Sequence, residues 1–177
     1  MLRTRRANPT RLSILAAVAV LVAAVPAGAV DLATTALVEI VEGVAITETQ
    51  TLDFGVLALT DGSVVVAASD GGVTDADNMV VDATGISQGV FDVTGVVGAD
   101  LVADCTAGAL PAGIALSAFT ADWADLGAEA AVPTNRTMAA STEVLEIGAT
   151  ITIDETTASL TGGTPADLPY TVTVVYQ

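Results

Sequence analysis

The sequence predicts an all-β fold, an antiparallel sandwich, on three observations. Short runs rich in Val, Ile and Thr recur along its 177 residues, and turns bearing glycine or proline separate them. Several runs alternate apolar with polar residues at the two-residue period of a strand with one buried face. Strands are predicted at Leu37 to Glu48, Thr51 to Leu59, Ser63 to Ser69, Met79 to Ala83, Val90 to Val96, Leu101 to Cys105, Ile114 to Phe119, Thr142 to Ile147, Ala149 to Asp154 and Tyr170 to Tyr176. The separators Asp61-Gly62, Asp70-Gly71-Gly72, Thr84-Gly85, Gly98, Pro111-Ala112-Gly113 and Thr161-Gly162-Gly163-Thr164-Pro165 supply the positive or fixed φ angles that turns need.

Inward faces can be read from parity. Leu145, Ile147, Ala149, Ile151 and Ile153 share one face, with Glu146, Thr150, Thr152 and Asp154 on the other, and Gly148 marks a bulge or bend. Phe91 and Val93 likewise oppose Asp92 and Thr94, and Tyr170, Val172, Val174 and Tyr176 share one face of the last strand. Aromatics make up 3% of the chain, so Val, Ile, Leu and Ala must fill the core. One segment departs from the pattern. In "ADWADLGAEAA", residues 121 to 131, Trp123, Leu126 and Ala130 fall at helical spacing with Asp122, Asp125 and Glu129 opposite, and Pro133 ends the run. A short helix is predicted there as a lid over one end of the sandwich.

The first 29 residues read as an export signal. Arg3, Arg5, Arg6 and Arg11 form a basic region, Leu12 to Val25 an apolar one, and Ala27-x-Ala29 a cleavage site, too short and wrongly flanked for a membrane anchor. The mature chain then starts at Val30, and about 150 residues suit one domain with a real core. The expected division is a signal peptide over 1–29, an N-terminal segment over 30–43 and a β-sandwich domain over 44–177. Nothing after the signal reaches membrane-spanning length, so membrane insertion is not expected.

With the signal removed, Arg136 stands alone against 21 acids, a net charge of −20. That balance excludes nucleic acid and anionic lipid as partners, because neutralising phosphates takes cations the chain lacks. Its ordinary reading is solubility, and the absence of lysine suits a salty habitat, where ions screen self-repulsion.

The chain is poor in the groups that do chemistry. It has no histidine, so Ser-His-Asp and Cys-His nucleophiles are excluded, and no glycine loop with a lysine cradles a phosphate. Asp122 with Asp125 or Glu129 could be imagined as a glycosidase pair, but one Trp and two Tyr are few for a sugar cleft. No enzyme activity and no cofactor are expected. Cys105 is the single cysteine and alternates with Leu101 and Ala103, which predicts a buried small hydrophobe, with an intermolecular disulfide as the alternative. Asp70, Asp75, Asp77 and Asn78 form a weak candidate calcium loop, against the plainer reading of an acidic hairpin turn. Asn135-Arg136-Thr137 fits the glycosylation pattern.

Three stretches carry a resemblance. "TETQTLDFGVLAL" from Thr47, "VFDVTG" from Val90, and the tail "LEIGATITI" with "PYTVTVVYQ" resemble the DUF4402 family of exported bacterial β-proteins, which is similar to spore coat protein U and the archaic chaperone-usher pilins. The resemblance implies an incomplete immunoglobulin-like sandwich, completed by a donor strand from a neighbouring subunit. Strand addition supplies main-chain hydrogen bonds along an edge and seats alternate side chains in a groove. Val30 to Val41 is the candidate donor, with Leu32, Thr34, Ala36, Val38 and Ile40 on its inserting face and Glu42-Gly43 as hinge; the alternative is that it forms the first strand of its own sandwich. Tyr170, Val172, Val174 and Tyr176 would border the groove.

Two functional readings follow. The first is a non-enzymatic structural subunit of a cell-surface fibre or coat, a homo-oligomer or filament built by strand addition with a periplasmic chaperone and an outer-membrane usher as partners, passing through the periplasm to the cell surface. The second is a monomeric secreted binding module, calcium-dependent and carbohydrate-directed.

Overall fold

In the computed structural model, residues 43–160 and 166–177 are described, and their regular elements are all strands. They are β1 (Ala45–Gln50), β2 (Val56–Leu57), β3 (Gly62–Val66), β4 (Val73–Asp75), β5 (Val80–Asp82), β6 (Gly89–Thr94), β7 (Asp100–Ala107), β8 (Ile114–Trp123), β9 (Ala130–Ala131), β10 (Thr134–Thr137), β11 (Thr142–Ile153) and β12 (Tyr170–Tyr176). Every pairing is antiparallel.

β11 organises the larger sheet. Along one edge it pairs with β8, from Leu145 opposite Trp123 to Ile153 opposite Ile114. Along the other it pairs first with β6, through Ile147, and then with β3, from Ala149. Gly148 stands where the second edge changes partner. A Cβ there would lie 2.4 Å from the Val66 carbonyl oxygen and 2.5 Å from the Ala68 nitrogen, so only glycine lets β3 come in so close. The ladder to β8 shifts register between Gly148 and Thr150, which fits the bulge expected at this glycine. β1 extends this sheet beyond β6, β4 beyond β3, and β9 beyond β8. A three-stranded sheet orders β10, β7 and β12, and β2 with β5 forms a separate ribbon.

Both larger sheets turn apolar residues into one core. Phe91 and Val93 of β6, Leu145, Ile147, Ala149, Ile151 and Ile153 of β11, and Leu116, Ala121 and Trp123 of β8 are buried together with Leu101, Ala103 and Cys105 of β7. The alternation read along β11 and β6 therefore names their inner faces correctly, since a side-chain period of two leaves no other way to hide four branched residues and an alanine on β11.

The expected helix over residues 121–131 is absent. Ala121, Asp122 and Trp123 are the last residues of β8, all buried, because Trp123 and Asp122 lie opposite Leu145 and Glu146 of β11. The chain then turns, with Gly127 at a φ of +57° that a helix does not allow, and Leu126 is 55% exposed instead of sharing a buried face with Trp123. Pairing along a long central strand outweighed a helical spacing of three residues.

Other boundaries moved for local reasons. The strand expected over Thr51 to Leu59 shrinks to β2 and a single bridge between Asp53 and Ser87, because Asp53 Oδ1 accepts the Gly55 N–H at 2.7 Å and turns the chain. The runs expected at Thr142 and Ala149 are one strand. β4, β9 and β10 had no apolar alternation to announce them and form by pairing with longer neighbours. Of the strand expected over Leu37 to Glu48, the part before Gly43 lies outside the described residues.

Candidate functional site

Edge strands present unpaired N–H and C=O groups, and short or charged edges discourage further pairing. In the two larger sheets the edges at β4, β9 and β10 are two to four residues long. β1 and β12 are the long ones, at six and seven residues, and β12 carries no charged side chain. Among the described residues β1 pairs only with β6, and β12 only with β7.

Between these two edges lies a cavity of about 270 Å³ lined by Ile46 and Glu48 of β1, Phe91 of β6, and Tyr170 and Val172 of β12. Register explains its floor. Ile46 stands opposite Val93 and Glu48 opposite Phe91, and both partners are buried, so β1 turns Ile46 and Glu48 toward the core side. Yet Ile46 is 37% exposed, because the described residues place no strand over it. Tyr170, Val172, Val174 and Tyr176 face the core and stay half-buried, while Thr171, Thr173 and Val175 are exposed.

The two tyrosines fix β12 against the opposite sheet. Tyr170 stacks on Phe119 with ring centroids 6.1 Å apart, and its hydroxyl is buried where a Cβ on Gly89 would come within 2.8 Å. Burial, and then the Glu48 carboxylate beside it, push the Tyr170 phenol up to about 12. At the other end the Tyr176 hydroxyl accepts the Val96 N–H at 2.9 Å. The groove is thus an open slot in which one carboxylate, Glu48, stands beside Ile46, Phe91, Tyr170 and Val172.

Of the four residues singled out on β12, Tyr170 and Val172 line this slot, while Val174 and Tyr176 continue the same face away from it. Leu32, Thr34, Ala36, Val38 and Ile40, and Glu42 of the hinge, lie outside the described residues. Ile46, Glu48 and Phe91 were not singled out, although the parity that pairs Phe91 with Val93 and Ile46 with Glu48 was visible; only the register of β1 against β6 assigns Ile46 and Glu48 to the same inner face.

The acidic loop is taken up by turn-making. Asp75 accepts the N–H groups of Met79 at 2.9 Å and Val80 at 2.8 Å, Asp77 accepts that of Ser63 at 2.9 Å, and Asp70 that of Gly72 at 2.7 Å. The Val80 and Met79 N–H groups hold the Asp75 carboxyl below its ordinary range. Among the described residues no group of three or more His, Cys, Asp or Glu is placed to hold a metal.

The imagined glycosidase acids have separate partners too. Asp122 is buried and accepts the Ala128 N–H at 3.0 Å, Asp125 meets Arg136 at 2.6 Å, and Glu129 meets the Thr120 hydroxyl. Arg136 ties β10 to the start of β11 through Glu143 at 2.5 Å and lies 6.0 Å from the Trp123 ring centre. Glu143 is buried, and its other oxygen accepts the Ala139 and Ala140 N–H groups. Cys105 is buried, and burial with the neighbouring Asp104 charge pushes its thiol up to about 12. Asn135 is exposed and accepts the Gln177 side-chain amide at 2.8 Å.

No family model matches this sequence, and no curated protein and no solved structure matches it.

Proposed function

We propose that this protein is a non-enzymatic structural subunit of a cell-surface fibre or coat, an incomplete immunoglobulin-like sandwich completed by a strand from a neighbouring copy. The slot between β1 and β12 carries the reading: two long edges flank a cavity in which the apolar groups of Ile46, Tyr170 and Val172 are only partly covered. An extended segment laid there would extend both sheets and insert alternate side chains between them. Val30 to Val41 has the alternation for it, with Leu32, Thr34, Ala36, Val38 and Ile40 on one face. Export through the signal at residues 1–29, a periplasmic chaperone strand in the slot during transit, and an outer-membrane usher belong to the same proposal. A head-to-tail contact of this kind is heterologous and does not close, so it produces filaments.

The test is assembly of the mature chain seen by electron microscopy. Ile40→Asp should abolish filaments while circular dichroism shows the fold retained, because a lone buried carboxylate is strongly disfavoured. Glu39→Ala, on the other face, should leave them. If wild type and Ile40→Asp are equally folded, discrete monomers at every pH from 7.5 to 5.5, the subunit reading falls and the monomeric binding module takes its place.

A further inference from the structure

An inward-facing charge is out of place in a slot meant to bury a strand, and Glu48 is one. It faces the buried Phe91 and lines the cavity with Ile46, Tyr170 and Val172. No cation answers it: Arg136, the single cation of the described residues, is held by Glu143 and Asp125. The inserting face of "VDLATTALVEIV", Leu32, Thr34, Ala36, Val38 and Ile40, brings none either; the segment's side chains include two acids, Asp31 and Glu39, and no Lys, Arg or His, and its α-amino group sits at the far end, on Val30.

We propose that Glu48 gates the slot, its carboxylate holding off the Val30 to Val41 strand of a second copy while charged and admitting it once protonated; this rests on the strand-addition reading. The occupant is argued from position and charge. The described chain begins at Gly43, two residues before β1, and the alternating run of sequence lies immediately ahead of it, so every copy supplies one such segment for each slot. An uncharged inserting face can cover Glu48 only by burying an unpaired carboxylate, which is strongly disfavoured until the group takes a proton. The titratable groups set around it are Tyr170 of β12 and, behind that ring, Cys105 of β7; both hold their protons until about 12, so neither competes for the one Glu48 takes up. Inward-pointing charges are also a known way of keeping an edge strand from pairing indiscriminately.

Occupancy then takes up one proton per slot, and association strengthens by up to about tenfold for each pH unit of acidification. The experiment follows filament assembly of the full mature chain by light scattering and electron microscopy from pH 7.5 to 5.5 at fixed ionic strength. That range stays above the isoelectric point, which is near 4.1 for the full sequence and lower once the four signal arginines are removed. Wild type should assemble more tightly as pH falls. Glu48→Gln should assemble at pH 7.5 with a flat profile, and Glu155→Gln, an exposed acid on a loop, should follow wild type. If Glu48→Gln keeps the wild-type slope, the overall charge and not Glu48 sets the dependence, and the gate is overturned while the filament reading stands. If none of the three assembles at any pH while all stay folded, the strand-addition reading itself fails.

Discussion

Replacing Arg136 with Met removes the single cation of the described residues from between two carboxylates of very different surroundings. Glu143 has a side chain 7% exposed, whereas that of Asp125 is 59% exposed. Losing the exposed partner costs little, about 0–1 kcal/mol for Asp125→Asn. Stranding the buried one costs about 3–5 kcal/mol. Glu143 keeps the N–H groups of Ala139 and Ala140, which places Arg136→Met at the lower end, about 3 kcal/mol. For a domain of this size that is a fall in Tm of about 6–12 °C. Removing both partners in Arg136→Met with Glu143→Met should recover most of the loss, since no buried charge is then left unpaired.

The pH arm has a definite sign. Burial raises the Glu143 carboxyl, but the Arg136 hydrogen bond and the Ala139 and Ala140 N–H groups outweigh it and hold the group below its ordinary value of 4.5. A depressed carboxyl stabilises the fold above its unfolded value, so this contribution is full above about pH 4.5 and fades as pH falls through the lower folded value. Urea unfolding of the single and double variants from pH 7 to pH 3 measures it. An Arg136→Met loss no larger than that of Asp125→Asn, or an acid limb as steep as in wild type, would refute the argument that Glu143 is the partner that matters.

Two further outcomes follow from the core. Cys105, buried with its thiol pushed up to about 12, should react with a thiol reagent at pH 8 only as fast as the protein unfolds; rapid labelling without denaturant, or a dimer lost on reduction, contradicts this. Gly148→Ala drives a Cβ into the backbone of Val66 and Ala68 and should lower stability by about 2–3 kcal/mol in urea unfolding. Gly43→Ala meets nothing within 4 Å and should stay within about 0.5 kcal/mol, so equal effects would sink the close-approach argument.

What the sequence determined by itself was the fold class and most inner faces. Strand periodicity is a local property, and the parity of Leu145 to Ile153, of Phe91 and Val93, and of Tyr170 to Tyr176 leaves one face to bury whatever lies beyond. The lack of histidine and lysine also narrowed the chemistry before any fold was known. Tertiary structure decided which edges stay open. Val73–Asp75 and Thr134–Thr137 became strands only because β3 and β7 lay beside them, and the Trp123 run became strand instead of helix because β11 offered Leu145 and Glu146 as partners. Glu48 shows the divide most clearly. Its parity was legible, but whether that face meets water or core depends on the pairing of β1 with β6, forty residues away, and on the distance to β12, more than a hundred residues away. Contacts of that span are set by how the sheets close over one another, and no local pattern encodes them.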